Sequence, residues 1–295
     1  MRTGTLTAIT LLGAMSAFAH DGEALEPHDL WAAWSFDPGV VIPLGLTAIL
    51  FARGARVSRG VSALQIGCFW SGWTFLTLSL VSPLHPIGEV LFSAHMAQHE
   101  SLMLLAAPLL VLSRPLVPML WGLPIEWRRW LGQGSKRPGI QVVWRALTRP
   151  FTAWWIHAAA LWLWHAPSLF QGTLDNEWIH SAQHLSFLGS ALLFWWSLFY
   201  AQGRASYGAS VLYIFTTAVH TSILGALLTF ARTVWYPAYS LTTQAWHLTP
   251  LEDQQIGGLI MWIPAGFVYV VAGLWVFALW LRESDVIANR STYAQ

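Results

Sequence analysis

The chain of 295 residues is 55% apolar and only 10% charged, with 20 tryptophans, 15 phenylalanines and a single cysteine. Soluble domains carry about 25% charged residues, so this composition excludes a soluble globular fold and points to a membrane protein. The formal net charge of +1 says little about partners, because the charges are sorted along the chain rather than spread over one surface.

Residues 1–19 have the layout of a secretory signal peptide: Arg2 gives a basic start, Leu6 to Met15 a short apolar run, and Ala17-Phe18-Ala19 a small-x-small cleavage site. Cleavage there leaves His20 at the head of an external N-terminal segment, 20–37; the competing reading is an uncleaved signal anchor. A short apolar segment at about 38–53 ends in basic residues. Six more, at about 61–81, 90–112, 151–170, 178–200, 208–230 and 256–281, approach the roughly 20 residues that cross a bilayer. The predicted fold is therefore all-α: a polytopic membrane helix bundle over 38–282 with about seven transmembrane helices, followed by a cytoplasmic tail at 283–295.

Alternating these spans across a bilayer puts the basic stretches on one side, from Arg53 and Arg56 through the loop 114–149 to Arg282 and Arg290. Only Arg232 falls opposite, while Asp21, Glu23, Asp37, Asp175, Glu177, Glu252 and Asp253 all do. By the positive-inside bias the basic side is cytoplasmic, which predicts a bacterial plasma-membrane protein with an external N-terminus and a cytoplasmic C-terminus. The loop 114–149 mixes Pro115, Pro118, Pro124 and Pro138 with Trp121, Trp127, Trp130 and Trp144, the composition of a segment lying at lipid headgroups. It carries no nucleic-acid signature. Cys68, the only cysteine, falls within the second span, so neither a disulfide nor a paired-thiol metal site is available.

The chemistry concentrates in two copies of one motif, His95-Met96-Ala97-Gln98-His99 and His180-Ser181-Ala182-Gln183-His184, each at the start of a span. Histidines four residues apart share a helix face. Two such helices side by side bring four imidazoles together, the number and donor type that suit a transition-metal ion, and ionisable groups inside a membrane are costly and usually functional. The competing reading is interhelical hydrogen bonding. Around the motifs the chain repeats a unit of helix, His near Pro, loop, and His-pair helix: His85 stands beside Pro86, and His165 precedes Ala166-Pro167. The repeat extends the predicted external layer to His85, His95, His99, His165, His180 and His184, although His85 and His165 equally fit plain interfacial turns. Copper is the expected ion, with Met96, Met103 and Met261 as softer donors for Cu(I); zinc fits four imidazoles as well.

Several residues are expected to support this site. Glu100, next to His99, is a candidate ligand, proton carrier or interhelical partner. Asp253 and Gln254 either orient a ligating imidazole through its other ring nitrogen or simply cap the last helix. Gly257 and Gly258 permit close helix approach. His220 near the middle of its span and His157 in the inner part of its own are the two histidines outside the outer half. A mature N-terminal His20, with His28, offers an amine-plus-imidazole copper chelate, against the simpler reading of a solvated acidic tail.

His-Met-Ala-Gln-His-Glu at 95–100, Ala-Pro-Leu-Leu-Val-Leu at 107–112, Leu-Trp-Leu-Trp-His-Ala-Pro at 161–167, Trp-Ile-His-Ser-Ala-Gln-His at 178–184 and Asp-Gln-Gln-Ile-Gly-Gly-Leu-Ile-Met-Trp at 253–262 resemble the multi-pass assembly factor family of caa-type cytochrome c oxidases. The resemblance implies a non-enzymatic plasma-membrane protein required for maturation of a haem-copper oxidase at its copper centres. Its implied partners are the oxidase subunits, periplasmic copper chaperones and membrane lipid. The competing functions are a copper or haem permease, for which His220 and His157 would continue a path inward, and a membrane metalloenzyme with a two-metal histidine site. Stable haem binding is disfavoured, because histidine pairs one turn apart would crowd a porphyrin.

Overall fold

The computed structural model describes residues 25–58, 60–201 and 207–292. The expected signal peptide and His20 lie outside the described residues. Among the described residues the only regular structure is helical, in agreement with the all-α expectation.

Helix α1 (Pro38–Val57) starts where Asp37 accepts a hydrogen bond from the Gly39 amide at 2.8 Å with proline in the first turn, and α2 (Ala63–Val81) starts with a reciprocal Ser62–Gln65 capping box. The short α3 (Leu84–Val90) carries His85. Helix α4 (Phe92–Glu100) runs through a π-helical turn, Ser101–Ala106, into α5 (Ala107–Ser113). Pro108 supplies the reason for the wide turn: it lacks an amide to bond back one turn, and its ring would clash with the carbonyl there. Three short helices follow, α6 (Leu116–Gly122), α7 (Ile125–Gly134) and α8 (Pro138–Leu147), then α9 (Pro150–Trp164) and α10 (Pro167–Asp175). Helix α11 (Glu177–Trp196), capped by Asn176, ends in a second π-helical turn, Ser197–Ala201, and α12 (Tyr207–Thr229) and α13 (Pro250–Thr292) complete the chain.

Among the described residues, five stretches are long and apolar enough to cross a membrane: Pro38–Val57, Ala63–Val81, Phe92–Ser113, Tyr207–Thr229 and Pro250–Arg282. Helices α9 and α11 occupy the two other expected positions. The 15 residues of α9 reach only about 22 Å at 1.5 Å each, and the first half of α11 is polar with Glu177, His180, Gln183 and His184. The rod Phe92–Ser113 is central, with 56% of its apolar window buried against 17% for Pro38–Val57 and 22% for Ala63–Val81. The exposed apolar residues of the outer helices, such as Ile42, Leu46 and Ile49 on α1 and Phe267, Val270 and Leu274 on α13, are the surface that a polytopic bundle presents to lipid.

Close backbone approach holds the bundle at two places. A Cβ on Gly258 would meet the Thr229 amide nitrogen at 2.6 Å and the Gly225 carbonyl oxygen at 2.7 Å, so α12 and α13 touch main chain to main chain. On the other flank, a Cβ on Gly54 would lie 1.6 Å from the Pro118 carbonyl and one on Gly122 2.2 Å from that of Leu50, which locks α6 onto α1. The segment 114–149 therefore divides: α6 is packed into the bundle, whereas α7 and α8 bury no residue and leave Trp127, Trp130, Val142 and Val143 exposed.

The start of α4 is fixed from a distance of 160 residues in sequence. The Asp253 carboxylate, at the head of α13, accepts from the Phe92 amide at 2.6 Å, the Ser93 amide at 3.1 Å and the Ser93 hydroxyl. It is a helix cap, but for α4 rather than for α13, where Glu252 instead pairs with Thr249. The neighbouring Gln254 accepts from the Trp235 amide at 2.6 Å and donates to the Thr233 carbonyl at 3.3 Å, pinning the loop before α13. That loop folds down over the bundle and buries Tyr236 and Tyr239.

Two outcomes follow from this packing. Gly258→Val forces backbone apart at the α12–α13 contact and should destabilise the purified protein by more than about 2 kcal/mol, measured as earlier thermal unfolding in detergent. Asp253→Ala leaves buried amide and hydroxyl donors without an acceptor and should cost about 2–4 kcal/mol in the same assay, with Asp253→Asn losing less because one acceptor oxygen is kept.

Candidate metal centre

The two motif helices lie side by side, and the reason is steric and polar at once. Helix α11 packs on α5 and on α9, and its histidine face meets that of α4. Within the first motif the His95 and His99 rings are 4.3 Å apart, and within the second His180 and His184 are 4.4 Å apart, as spacing of four on one helix face requires. Across the helices His95 stacks on His180 at 5.4 Å and His99 meets His184 edge-on at 5.1 Å. His85 joins from α3, stacked on His180 at 5.3 Å and 5.9 Å from His184.

The expected single four-imidazole group is not the geometry found. Donor nitrogens lie within 4.8 Å of one another in two sets of three, His85/His180/His184 and His95/His99/His184, with His184 common to both. The first set is nearer the surface and the second is almost wholly buried, with His95 at 0% and His99 at 1% exposure.

Hydrogen-bond partners decide which nitrogens are free. His95 Nδ1 is 3.2 Å from the Gly88 carbonyl, an acceptor, so its proton belongs on Nδ1 and Nε2 carries the lone pair, with the rotatable Gln183 amide 3.3 Å away. The Gly88 carbonyl is itself held by the Tyr239 hydroxyl at 3.0 Å. Gln98 donates to the Ser79 carbonyl at 2.7 Å and to His85 Nδ1 at 3.0 Å, which uses the lone pair of His85 in this arrangement. Burial holds the His85 imidazole below its ordinary pKa, with Asp37 opposing, so it is neutral at physiological pH. Beside it, burial and then Glu177 hold the Glu89 carboxyl above its usual range.

Both ring nitrogens of His99, and Nε2 of His180 and of His184, are buried with no hydrogen-bond partner. A buried polar atom without a partner costs about 1–3 kcal/mol, and since one nitrogen of a neutral His99 carries a proton, these four atoms offer at most three lone pairs. Neutral imidazole lone pairs converging within 4.8 Å suit a transition-metal ion.

The remaining sequence candidates separate clearly. His165, at the end of α9, lies against α4, where its Nε2 is 3.3 Å from Met96 Sδ. Met261 is buried in an apolar cluster with Phe92, Met96, Phe170, Tyr236 and Tyr239. Asp253 accepts from the Phe92 and Ser93 amides and the Ser93 hydroxyl, and Gln254 bonds the main chain at 233 and 235, so in these contacts the two residues cap a helix and pin a loop. Glu100, next to His99 on α4, is buried with one carboxyl oxygen unpartnered. Deeper in the bundle, His157 bonds Ser190 at 3.1 Å and His220 packs on Trp154 at 5.2 Å. His28 is exposed between Glu26 at 3.3 Å and Asp29 at 3.4 Å, the solvated acidic segment that its composition allows.

The residues that sequence reasoning passed over are the glutamines of the motifs themselves and Gly88. Gln98 and Gln183 each reach a histidine of another helix, so the repeated Gln was the signal that could have found them.

No solved structure matches the chain. It is similar to an uncharacterized protein of Mycobacterium bovis, 25% identical over 276 residues that cover 87% of this chain and 40% of that protein. An uncharacterized protein of Mycobacterium leprae is likewise 25% identical over 292 residues, covering 90% of this chain and 43% of its own. The chain thus spans about two fifths of the length of these curated relatives. The family model for the cytochrome c oxidase caa3 assembly factor matches residues 48–283, and the chain belongs to that family.

Proposed function

We propose that the protein is a membrane assembly factor for a haem-copper cytochrome c oxidase that holds copper at its outer-face imidazole cluster and aids maturation of the oxidase's metal centres. The observation that carries the reading is the set of unpartnered, buried imidazole nitrogens shared between two helices of one family member. His184 belongs to both sets of three donors and is the pivotal ligand; the His95/His99/His184 set has the freer lone pairs. Copper is favoured over zinc by the thioethers of Met96 and Met103 nearby in the chain, since thioether donors select Cu(I). The site acts by holding and handing over an ion to an oxidase subunit or from a periplasmic copper chaperone, so the protein is not an enzyme in this reading.

The same reading places seven spans in a bacterial plasma membrane, with α9 and α11 completing the five long apolar helices, the N-terminus external and the C-terminus cytoplasmic. It is supported by the charge sorting along the chain, which sets the dense basic segments on the side opposite the histidine cluster.

A permease is the second reading, favoured by one observation: both ring nitrogens of His220, deeper in the bundle, are buried without partners. Metal uptake by vesicles containing only this protein would support it.

Two experiments test the leading account. His184→Leu removes a ligand from both donor sets and should lower copper bound per protein and oxidase activity in the same cells by more than about tenfold, whereas His157→Leu should leave both within about twofold. Wild-type copper content in His184→Leu would show that the motifs are packing contacts. For the topology, reporter fusions at residues 140 and 240 should report cytoplasm and exterior respectively, and the reverse at either position would relocate the cluster to the other face.

A further inference from the structure

His165 and Met96 meet in a way that ordinary packing does not explain. His165 is 4% exposed and Met96 1% exposed, and His165 Nε2 lies 3.3 Å from Met96 Sδ. On the other side of the ring, Nδ1 is 2.6 Å from the Leu161 carbonyl oxygen. A neutral imidazole has one N–H for these two contacts, and the carbonyl at 2.6 Å is much the stronger acceptor, so the proton is on Nδ1. Nε2 then presents a lone pair to a thioether, which has only lone pairs to offer. Protonating both nitrogens would bury a cation, and among the described residues no carboxylate is paired with His165 to balance it.

The ring is not free to turn away. Its backbone carbonyl accepts the Tyr236 hydroxyl at 2.8 Å, its Nδ1 is tied to the preceding helical turn, and Phe187 packs at 6.0 Å. Met96 is fixed in turn by the cluster of Phe92, Phe170, Tyr236 and Met261. Two electron-pair donors, one nitrogen and one sulfur, are thus held facing each other in an apolar, water-poor pocket.

We propose that Met96 Sδ and His165 Nε2 form a soft-donor site for a monovalent d10 cation, Cu(I), distinct from the two imidazole sets that share His184. The spacing fits: an ion about 2.0 Å from the nitrogen and about 2.3 Å from the sulfur would see the 3.3 Å pair at an angle of roughly 100°, near a tetrahedral edge and far from linear. The bent pair leaves a coordination position open, through which the ion can be taken up and passed on. The thioether gives the site a preference for the monovalent ion that three imidazoles alone lack. This site deepens the copper-handling reading by giving the protein separate places for the hard and soft forms of its cargo.

The test uses the purified full-length protein in detergent, titrated separately with Ag(I), as a redox-inert stand-in for Cu(I), and with Zn(II), which avoids thioethers. Met96→Leu conserves volume and should weaken Ag(I) binding by at least about tenfold while leaving Zn(II) binding unchanged; Met261→Leu, in the same apolar cluster, should change neither. Equal Ag(I) affinity in wild type and Met96→Leu, with Zn(II) binding intact, overturns this inference alone. Absence of Zn(II) binding alongside Met96-dependent Ag(I) binding would instead overturn the imidazole cluster and leave this site standing. As a check that needs no substitution, selenomethionine-labelled protein loaded with Cu(I) should show a copper–selenium shell in X-ray absorption, and a spectrum with nitrogen neighbours only would refute the site.

Discussion

The architecture depends on one cost: polar atoms buried in an apolar bundle must find partners, and among the described residues the largest group of ring nitrogens without one lies in the histidine cluster. Asp253 is held by the Phe92 and Ser93 donors, Gln254 by the main chain at 233 and 235, and the Gln98 amide nitrogen by Ser79 and His85, although Gln98 Oε1 has no partner. The partnerless nitrogens of His99, His180 and His184 stand out because they lie together, whereas the two of His220 belong to a single ring deeper in the bundle. An imidazole kept neutral and unpaired is a poor structural element and a good ligand.

The supports around the cluster explain how it is kept in shape. Helix α4 is fixed at its first residues by Asp253 from α13, along its length by burial as the central rod, and just beyond the motif by a π-helical turn that absorbs Pro108. The aromatic lid of Tyr236 and Tyr239 reaches back to the carbonyls of His165 and Gly88, and Gly88 in turn orients His95. The imidazole cluster is thus tied through few bonds to α3, α9, α13 and the loop before α13. This arrangement lets the groups behind the imidazoles select their tautomers, as the Gly88 carbonyl does for His95.

Much of this was legible in the sequence because the signals were periodic. Apolar length gave the long helices, and the four-residue spacing of His95 with His99 and of His180 with His184 gave their shared faces. Gly257 and Gly258 marked a close approach that the Gly225–Gly258 contact makes explicit. What was not legible depends on which helices meet. Nothing in the chain order says that Asp253 caps a helix 160 residues earlier, that His184 is shared between two donor sets, or that His165 faces a methionine. The loop around Tyr236 and Tyr239 has the composition of an interfacial belt, yet it folds inward because its hydroxyls find buried carbonyls. The segment 114–149 looked uniform, and only the glycine contacts between α1 and α6 separate its packed part from its surface part.

The central claim is that the outer imidazole cluster binds copper. X-ray absorption on protein purified from copper-replete cells addresses it directly, because imidazole rings bound to a metal give a characteristic multiple-scattering pattern beyond the first shell. The account predicts copper retained at one or more ions per chain with about three nitrogen neighbours showing that pattern. Protein that emerges intact and monodisperse but metal-free, and that takes up no copper on titration, would contradict it.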